Sequence, residues 1–350
     1  MNKEIKIGKK RIGADNPCFV IAEAGVNHDG DLDQAIQLVS IAQKAGSDAV
    51  KFQLFDVEEQ VSQHAENAPY QRIGSGKQSM AEMAKSYDLP WEKHKDIAKH
   101  CKKLGIMYMS SCFDPRAVDF LVSDLKGSCI KVGSGELTNY PLLQHISQTG
   151  IPILLSTGMS TLKDVRDAVN QIQSNGTSPL FLLHCVSNYP APEKDINLMA
   201  MKTLKEEFNV PVGYSDHTEG NTAAIAAVTL GANVIEKHFT IDRTLPGPDH
   251  AMSLNPEELK DFVKTIRTTE EMLGDGIKKP TEAEKEMRIY TRRSVVSSKP
   301  IQTGEKLDDN NITLKRPATG IDPRSMDKII GKTAIVDIPA DKPITFDMLQ

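Results

Sequence analysis

The chain has 350 residues, 39% hydrophobic and 25% charged, with a formal net charge of −5. That length allows a large core in one or two domains, and the mild acidity argues against a nucleic-acid partner, which would favour a basic stripe. Five scattered cysteines, Cys18, Cys101, Cys112, Cys129 and Cys185, show no C-x-x-C spacing; they fit reduced thiols in a cytoplasmic protein better than a disulfide framework. The opening "MNKEIKIGKKRIG" is basic but has no apolar stretch, so no secretory signal is expected. No run approaches the ~18 apolar residues of a membrane span.

Short apolar runs alternate with amphipathic segments along the chain. The runs are "FVIAEAG" (19–25), "AVKFQLF" (49–55), "MYMSSCF" (107–113), "CIKVGS" (129–134), "IPILLST" (151–157), "LFLLHCV" (180–186), "VGYSDH" (212–217) and "NVIEKHFT" (233–240). Between them lie helix-like stretches such as "DLDQAIQLVSIAQKAG", "TLKDVRDAVNQIQSNG" and "TAAIAAVTLGA". Several end in Gly, a helix stop, and Ser160 is the expected N-cap of one. Strand then helix, eight times over about 250 residues, predicts a (β/α)8 TIM barrel. A doubly wound open sheet is the alternative, but "AEAGVNHDG" is not the Gly-rich phosphate fingerprint that fold carries. Segment 57–80 fits no regular element and is expected to be a functional loop over the barrel mouth. His28 and His64 read no more strongly than solvated loop positions.

The texture changes after about residue 280. Residues 281–292 are charged and read as a linker with some helix. From 293 to 350, short strands broken by Pro, Gly and "DDNN" predict a small, mostly β domain of roughly 60 residues, marginal by itself. The domains are therefore 1–280, the linker 281–292, and 293–350.

In a barrel the chemistry gathers at the C-terminal ends of the strands, and the misplaced polar residues here do the same. Glu23 closes the first strand. Lys51 and Gln53 share a face of the second. Ser110 and Ser111 close the third, Lys131 and Ser134 the fourth with Glu136 just beyond, and Ser156 and Thr157 the fifth. His184 lies on the sixth, with Asn188 and Tyr189 after it. Ser215 and His217 close the seventh; Glu236 and His238 lie two apart on the eighth, followed by Asp249. A single strand lysine is ordinarily a surface group, and a single histidine ordinarily a satisfied core group. Two lysines and several hydroxyls on one rim instead suit a phosphate or carboxylate. Two histidines from adjacent strands can share a metal.

The motifs "AEAGVNHDG", "VKFQ", "KVGSGELTNYPLL", "STGM", "LLHCVSNYPAP", "GYSDHT", "IEKHFT" and "GPDHAMSLNPEEL" resemble the sialic acid synthase family, whose members condense phosphoenolpyruvate with an N-acetylated aminosugar. "LKRPATGID" resembles the signature of that family's C-terminal antifreeze-like (SAF) domain. Spore-coat polysaccharide synthases are also similar around "HCVSNYPAP" and "IEKHFTID". The resemblance implies phosphoenolpyruvate contacts at Lys51, Ser111, Lys131, Ser134, Ser156 and Ser215, and a divalent metal (Mn²⁺, or Mg²⁺ or Co²⁺) on His217 and His238. It implies an essential carboxylate at Glu23 and sugar contacts at Gln53, Glu136, Tyr189 and Asp249. Arg316 corresponds to the SAF-domain arginine that reaches the partner's sugar in a domain-swapped homodimer. Ser187 stands where bacterial N-acetylneuraminate enzymes carry Asn, and "NAPYQR" is closer to enzymes that take larger or modified sugars. The expected function is nonulosonic acid synthesis from N-acetylmannosamine or a 2,4-diacetamido hexose. The alternatives are a spore-coat or surface polysaccharide synthase using another or a phosphorylated sugar, and a glycan-binding SAF protein with an inactive barrel.

Overall fold

A computed structural model of the chain describes residues 4–13, 16–62, 64–65 and 79–350. Two compact units divide it, Met1–Gly274 and Asp275–Gln350. In the first, eight parallel strands close into a barrel: β3 (Phe19–Gly25), β4 (Ala49–Leu54), β5 (Met107–Cys112), β6 (Ile130–Val132), β7 (Ile153–Ser156), β8 (Leu180–Cys185), β9 (Val212–Asp216) and β10 (Val234–His238). Closure is made by β10 on β3, in register from Val234↔Phe19 to His238↔Glu23, which excludes the open sheet. The strands are buried on both faces, so they read as near-continuous apolar runs. Among the described residues no helix is long and apolar enough to cross a membrane, and all five cysteines are free and buried.

Local rules set most helix ends. Helix Leu32–Ala45 starts at Asp31, whose carboxylate accepts from the Gln34 amide, and stops at Gly46 with φ 85°. Helix Leu162–Asn175 is capped by Thr161, not the expected Ser160. Thr161 stands three residues ahead of Asp164, and the two exchange side-chain and backbone hydrogen bonds in a capping box. Gly176, after the same helix, is not a left-handed stop; its backbone is extended, and a Cβ there would lie 1.9 Å from the Ser147 carbonyl oxygen. The segment expected to be irregular opens as a helical turn, Val57–Gln60, and closes into helix Met80–Ser86, which Ser79 and Glu82 cap. Residues 63 and 66–78 lie outside the described residues.

An antiparallel hairpin went unread in the sequence: β1 (Glu4–Ile7) and β2 (Lys10–Gly13). Its Ile7 and Ile12 are fully buried among Phe19, Ala49, Met109, Cys129, Phe181 and Val234, so the hairpin plugs the end of the barrel where the strands begin. The stretch 281–292 is the ten-residue helix Glu282–Thr291, which has no buried residue. The second unit then pairs β11 (Ser294–Ser297) with β12 (Ile312–Lys315) and closes a small core on Val295, Ile301, Ile312, Ile321 and Ile344.

His28 is not a solvated loop residue, though His64 is exposed. His28 is 1% exposed, its Nδ1 accepts from the Gly30 amide, and its ring lies 6.0 Å from that of Phe52. Burial brings His28 down to about 4 and His94, whose ring meets that of Phe52 edge-on, down to about 3. Both are held neutral in the folded chain, so their contribution is full above the ordinary 6.5 and is lost as pH falls through that window. For His28 this is worth about 3 kcal/mol. Urea unfolding at pH 6.5 and pH 4 should therefore show a smaller loss of stability in His28→Gln than in the parent chain. Equal losses would mean that His28 does not titrate on unfolding.

Candidate active site

Side chains alternate along a strand, and the inward series of the barrel strands begins apolar and ends polar. On β3 it runs Phe19, Ile21, Glu23; on β4 Ala49, Lys51, Gln53; on β5 Met109, Ser111. From Cys129, just before β6, it runs to Lys131 on it; on β7 it runs Leu154, Ser156; on β8 Phe181, Leu183, Cys185; on β10 Val234, Glu236, His238. The polar ends meet in one cavity of about 460 Å³. Glu23, Lys51, Gln53, Ser111, Lys131, Ser134, Ser156, Tyr189, Ser215, His217, His238 and Asp249 all line it. Glu136 does not. It ends the short turn Ser134–Glu136, and its carboxylate accepts from Asn139 Nδ2 at 2.7 Å. Arg316 belongs to the second unit and is exposed. His184 lies outside the lining, with Nε2 2.7 Å from the Ile196 carbonyl oxygen.

Four buried charges form the floor. Lys51 Nζ lies 2.7 Å from Glu23 Oε2 and 3.7 Å from Glu236 Oε2, and donates to Ser111 Oγ at 2.9 Å. Lys131 Nζ lies 3.6 Å from Glu236 Oε1, which also accepts from Ser215 Oγ at 3.0 Å. Burial alone would raise the Glu236 carboxyl, but Lys131 and Lys51 outweigh it and hold it well below the usual range. Burial raises Glu23, and Lys51 only partly offsets this. Burial also lowers Lys131, against the pull of Glu236. Lys51 is raised: the cost of burial is outweighed by Glu23 and Glu236. Glu236 is thus the carboxylate that two lysines hold low, and the two ammonium groups converging on one cavity suit an anion. Ser156 Oγ is buried with no hydrogen-bond partner among the described residues, while the Ser134 hydroxyl accepts from the Gly158 amide.

Beside this floor, the rings of His217 and His238 stand 5.8 Å apart. Tyr189 lies 4.0 Å from the His217 ring and meets that of His238 edge-on. His217 Nδ1 donates to the Val186 carbonyl at 2.8 Å; burial works against a charge on this ring, but Cys185 and the Val186 carbonyl outweigh it and raise its affinity for a proton, and in the neutral form Nε2 carries the lone pair. Burial, helped by His217 and Lys51, keeps His238 neutral. Its Nδ1 is buried without a hydrogen-bond partner among the described residues, 3.8 Å from Asp249 Oδ2. Burial raises Asp249 to about 6. Two imidazoles with free nitrogens fit a divalent cation held by two protein ligands, other positions staying open. Among the described residues there is no group of three His, Cys, Asp or Glu that could hold a metal.

Glu236 is the site residue that sequence reasoning left unassigned. Its signal was present, since it shares strand parity with His238, whereas Lys237 points outward and pairs with Asp216 at 2.9 Å. The described part of segment 57–80 reaches the cavity mouth as expected, through Gln60, Val61 and Met80; with Phe55, Met83, Tyr87 and Met159 it gives the mouth an apolar wall that the sequence did not indicate.

Residues 38–278 match the NeuB family, and residues 292–350 match the SAF domain. The chain is 43% identical to the N,N'-diacetyllegionaminic acid synthase of Legionella pneumophila, over 100% of this chain and 99% of that protein. Among solved structures it is similar to the spore coat polysaccharide biosynthesis protein SpsE of Bacillus subtilis, with TM-score 0.69 and 36% identity over 99% of each chain. The N-acetylneuraminic acid synthetase of Leptospira borgpetersenii, solved with citrate, gives TM-score 0.72 and 34% identity over 82% of this chain and 95% of that one.

Removing the Glu236 carboxylate leaves Lys51 and Lys131 undercompensated in a buried site. Breaking such an arrangement costs roughly 3–5 kcal/mol. Glu236→Gln should lower the thermal midpoint by several degrees, and millimolar inorganic phosphate should recover part of the loss. An unchanged midpoint would show that the lysines do not depend on this carboxylate.

Proposed function

The chain belongs to the NeuB family, and from that premise we propose that it condenses phosphoenolpyruvate with the aldehyde of an N-acetylated aminosugar. The products are a nonulosonic acid and phosphate, which makes it an alkyl-transferring transferase. The observation that carries this reading is the buried cationic floor lying beside two imidazoles in one cavity. Lys51 and Lys131, with the hydroxyls of Ser111, Ser134, Ser156 and Ser215, hold the phosphate and carboxylate of phosphoenolpyruvate by charge-assisted hydrogen bonds. Carbon 3 of the enol attacks the aldehyde, water adds at carbon 2, and the carbon–oxygen bond to phosphate breaks. Glu23, its affinity for protons raised by burial, accepts the proton of that water. Gln53, Tyr189 and Asp249 orient the sugar. His217 and His238 hold a divalent cation, Mn²⁺, Mg²⁺ or Co²⁺, which when bound polarises the aldehyde as a Lewis acid.

The apolar wall of Phe55, Val61, Met83 and Tyr87 favours an acceptor with acetyl and methyl substituents. The similarity to a diacetyllegionaminic acid synthase supports the same choice, a 2,4-diacetamido hexose. The similarity to SpsE keeps a surface-polysaccharide sugar as the second reading. A glycan-binding barrel without activity has no use for four buried charges, whose desolvation is costly. The helix Glu282–Thr291 leaves Met287, Ile289 and Tyr290 exposed by 52%, 50% and 61%. That supports a swapped homodimer in which Arg316 serves the partner's site.

Phosphate release from phosphoenolpyruvate should be stimulated most by the 2,4-diacetamido hexose, less by N-acetylmannosamine and least by its 6-phosphate. No release with any of the three would remove the reading. Chelation should abolish turnover and Mn²⁺ restore it; full activity in metal-free protein would reject the two-histidine site.

Lys51→Ala and Lys131→Ala should each lower kcat/KM for phosphoenolpyruvate by about 10- to 100-fold, from roughly 1.5–3 kcal/mol per charged hydrogen bond. The apparent affinity for the sugar should change little. A change confined to the sugar would contradict the assignment. Mixing Glu23→Ala with Arg316→Ala protein, with subunit exchange verified, should return activity that neither has alone. No recovery would mean that each chain completes its own site.

A further inference from the structure

We propose that the Lys237–Asp216 ion pair, on the outer face of the barrel, is a positioning device that sets His217 against His238. The inference rests on the reading of those two histidines as working groups of the cavity. The outward faces of these strands otherwise pack Val212, Ile235 and the ring of Tyr214 in the main core, with the Tyr214 phenol near Asp216 as the one other polar group among them. Into that layer β9 and β10 place an acid and an amine whose side chains are 0% and 2% exposed. Fold stability does not call for them, since an apolar pair of similar volume in such a place is often neutral or stabilising.

The hydrogen bonds of the pair fall beside the two histidines. Asp216 precedes His217, Thr218 follows it, and Lys237 precedes His238. Asp216 Oδ2 accepts from Lys237 Nζ at 2.9 Å. Asp216 Oδ1 accepts from the Thr218 amide and hydroxyl at 2.9 and 2.8 Å. Lys237 Nζ also donates to the Thr218 carbonyl. One ammonium group therefore grips the chain on both sides of His217.

The ladder explains why a grip is needed there. Pairing of β9 with β10 ends at Lys237↔Asp216, so His217 lies one residue beyond the last paired position. Three contacts hold His217 itself: its carbonyl accepts from the Ala191 amide at 2.8 Å, its Nδ1 donates to Val186, and Cys185 Sγ lies 3.7 Å from the same nitrogen. All tie it to the end of β8 and the segment after it. Past the end of the ladder, the tie toward β10 is the Lys237 contact to Thr218. Without it, the two rings would be set by separate elements rather than by one shared anchor.

The test compares the full-length chain with Asp216→Leu/Lys237→Met, which removes the charges and keeps the volume. The double variant should melt within a few degrees of the parent. In nuclear magnetic resonance of the imidazoles, the signals of His217 and His238, assigned through His217→Gln and His238→Gln, should move, while those of His28 and His94 stay. Mn²⁺ affinity, titrated by electron paramagnetic resonance on chelator-treated protein, should fall about 10- to 100-fold, the usual effect of losing a support behind a ligand. In turnover, kcat should fall while KM for phosphoenolpyruvate holds. If the double variant does not fold, Lys237→Gln, which keeps a donor but loses the charge and the reach, gives the same readout. Ring signals that stay in place in the folded variant overturn the proposal. Absence of Mn²⁺ binding by the parent chain would reject the metal reading alone, because the ring signals report the clamp without a metal.

Discussion

The interaction on which the site depends is the contact of Lys51 with two carboxylates inside a closed barrel. Closing eight strands sends every second residue into a lumen that water does not fill, so charge placed there must be balanced from within. Glu23 lies 2.7 Å from Lys51 and Glu236 3.7 Å, and Glu236 reaches Lys131 at 3.6 Å. The two carboxylates differ: burial raises Glu23 against the pull of Lys51, while Lys131 and Lys51 hold Glu236 low. Two ammonium groups directed at one cavity would gain further from a bound anion. The same feature that makes the empty floor costly thus makes it selective for anionic ligands, the usual tension between stability and function at a prearranged site.

That cost is confined to one end. At the other, Ile7 and Ile12 of the hairpin meet Phe19, Ala49 and Val234 in a lumen with no charge. The division follows the common arrangement of barrels, stability at the end where strands begin and chemistry where they finish. His28 and His94 sit behind the second strand, around Phe52, as neutral buried groups. They show that a histidine near a cavity is not thereby part of its chemistry.

Strand parity was the most legible feature of the sequence. Lys51 with Gln53, Ser215 with His217, and Glu236 with His238 were readable as same-face pairs, and all six line the cavity. What failed was whatever parity does not govern. Glu136 lies past the end of β6, where a short turn carries it to Asn139. The N-cap of helix Leu162–Asn175 was read one residue early, because two adjacent hydroxyl residues compete and the acid three positions ahead decides between them. Gly176 looked like a helix stop but is glycine because the Ser147 backbone approaches it. The hairpin was overlooked because a two-stranded element of four-residue strands carries little periodic signal.

The apolar mouth limits how selective this cavity can be by itself. A hydrophobic pocket separates substrates that differ by one methyl group by about 1–3 kcal/mol, and it rejects an added hydroxyl only weakly. Phe55, Val61, Met83 and Tyr87 therefore set a preference among acceptors. Sharper discrimination requires buried polar groups that are left unpaired by the wrong sugar. Asp249 is a group so placed: its carboxyl lines the cavity and is pushed up to about 6 by burial. A ligand that hydrogen-bonds to it would recover its desolvation cost, whereas one that does not would meet the full penalty. Selectivity at this mouth thus divides into a broad apolar filter at the rim and a narrow polar one beside the histidines.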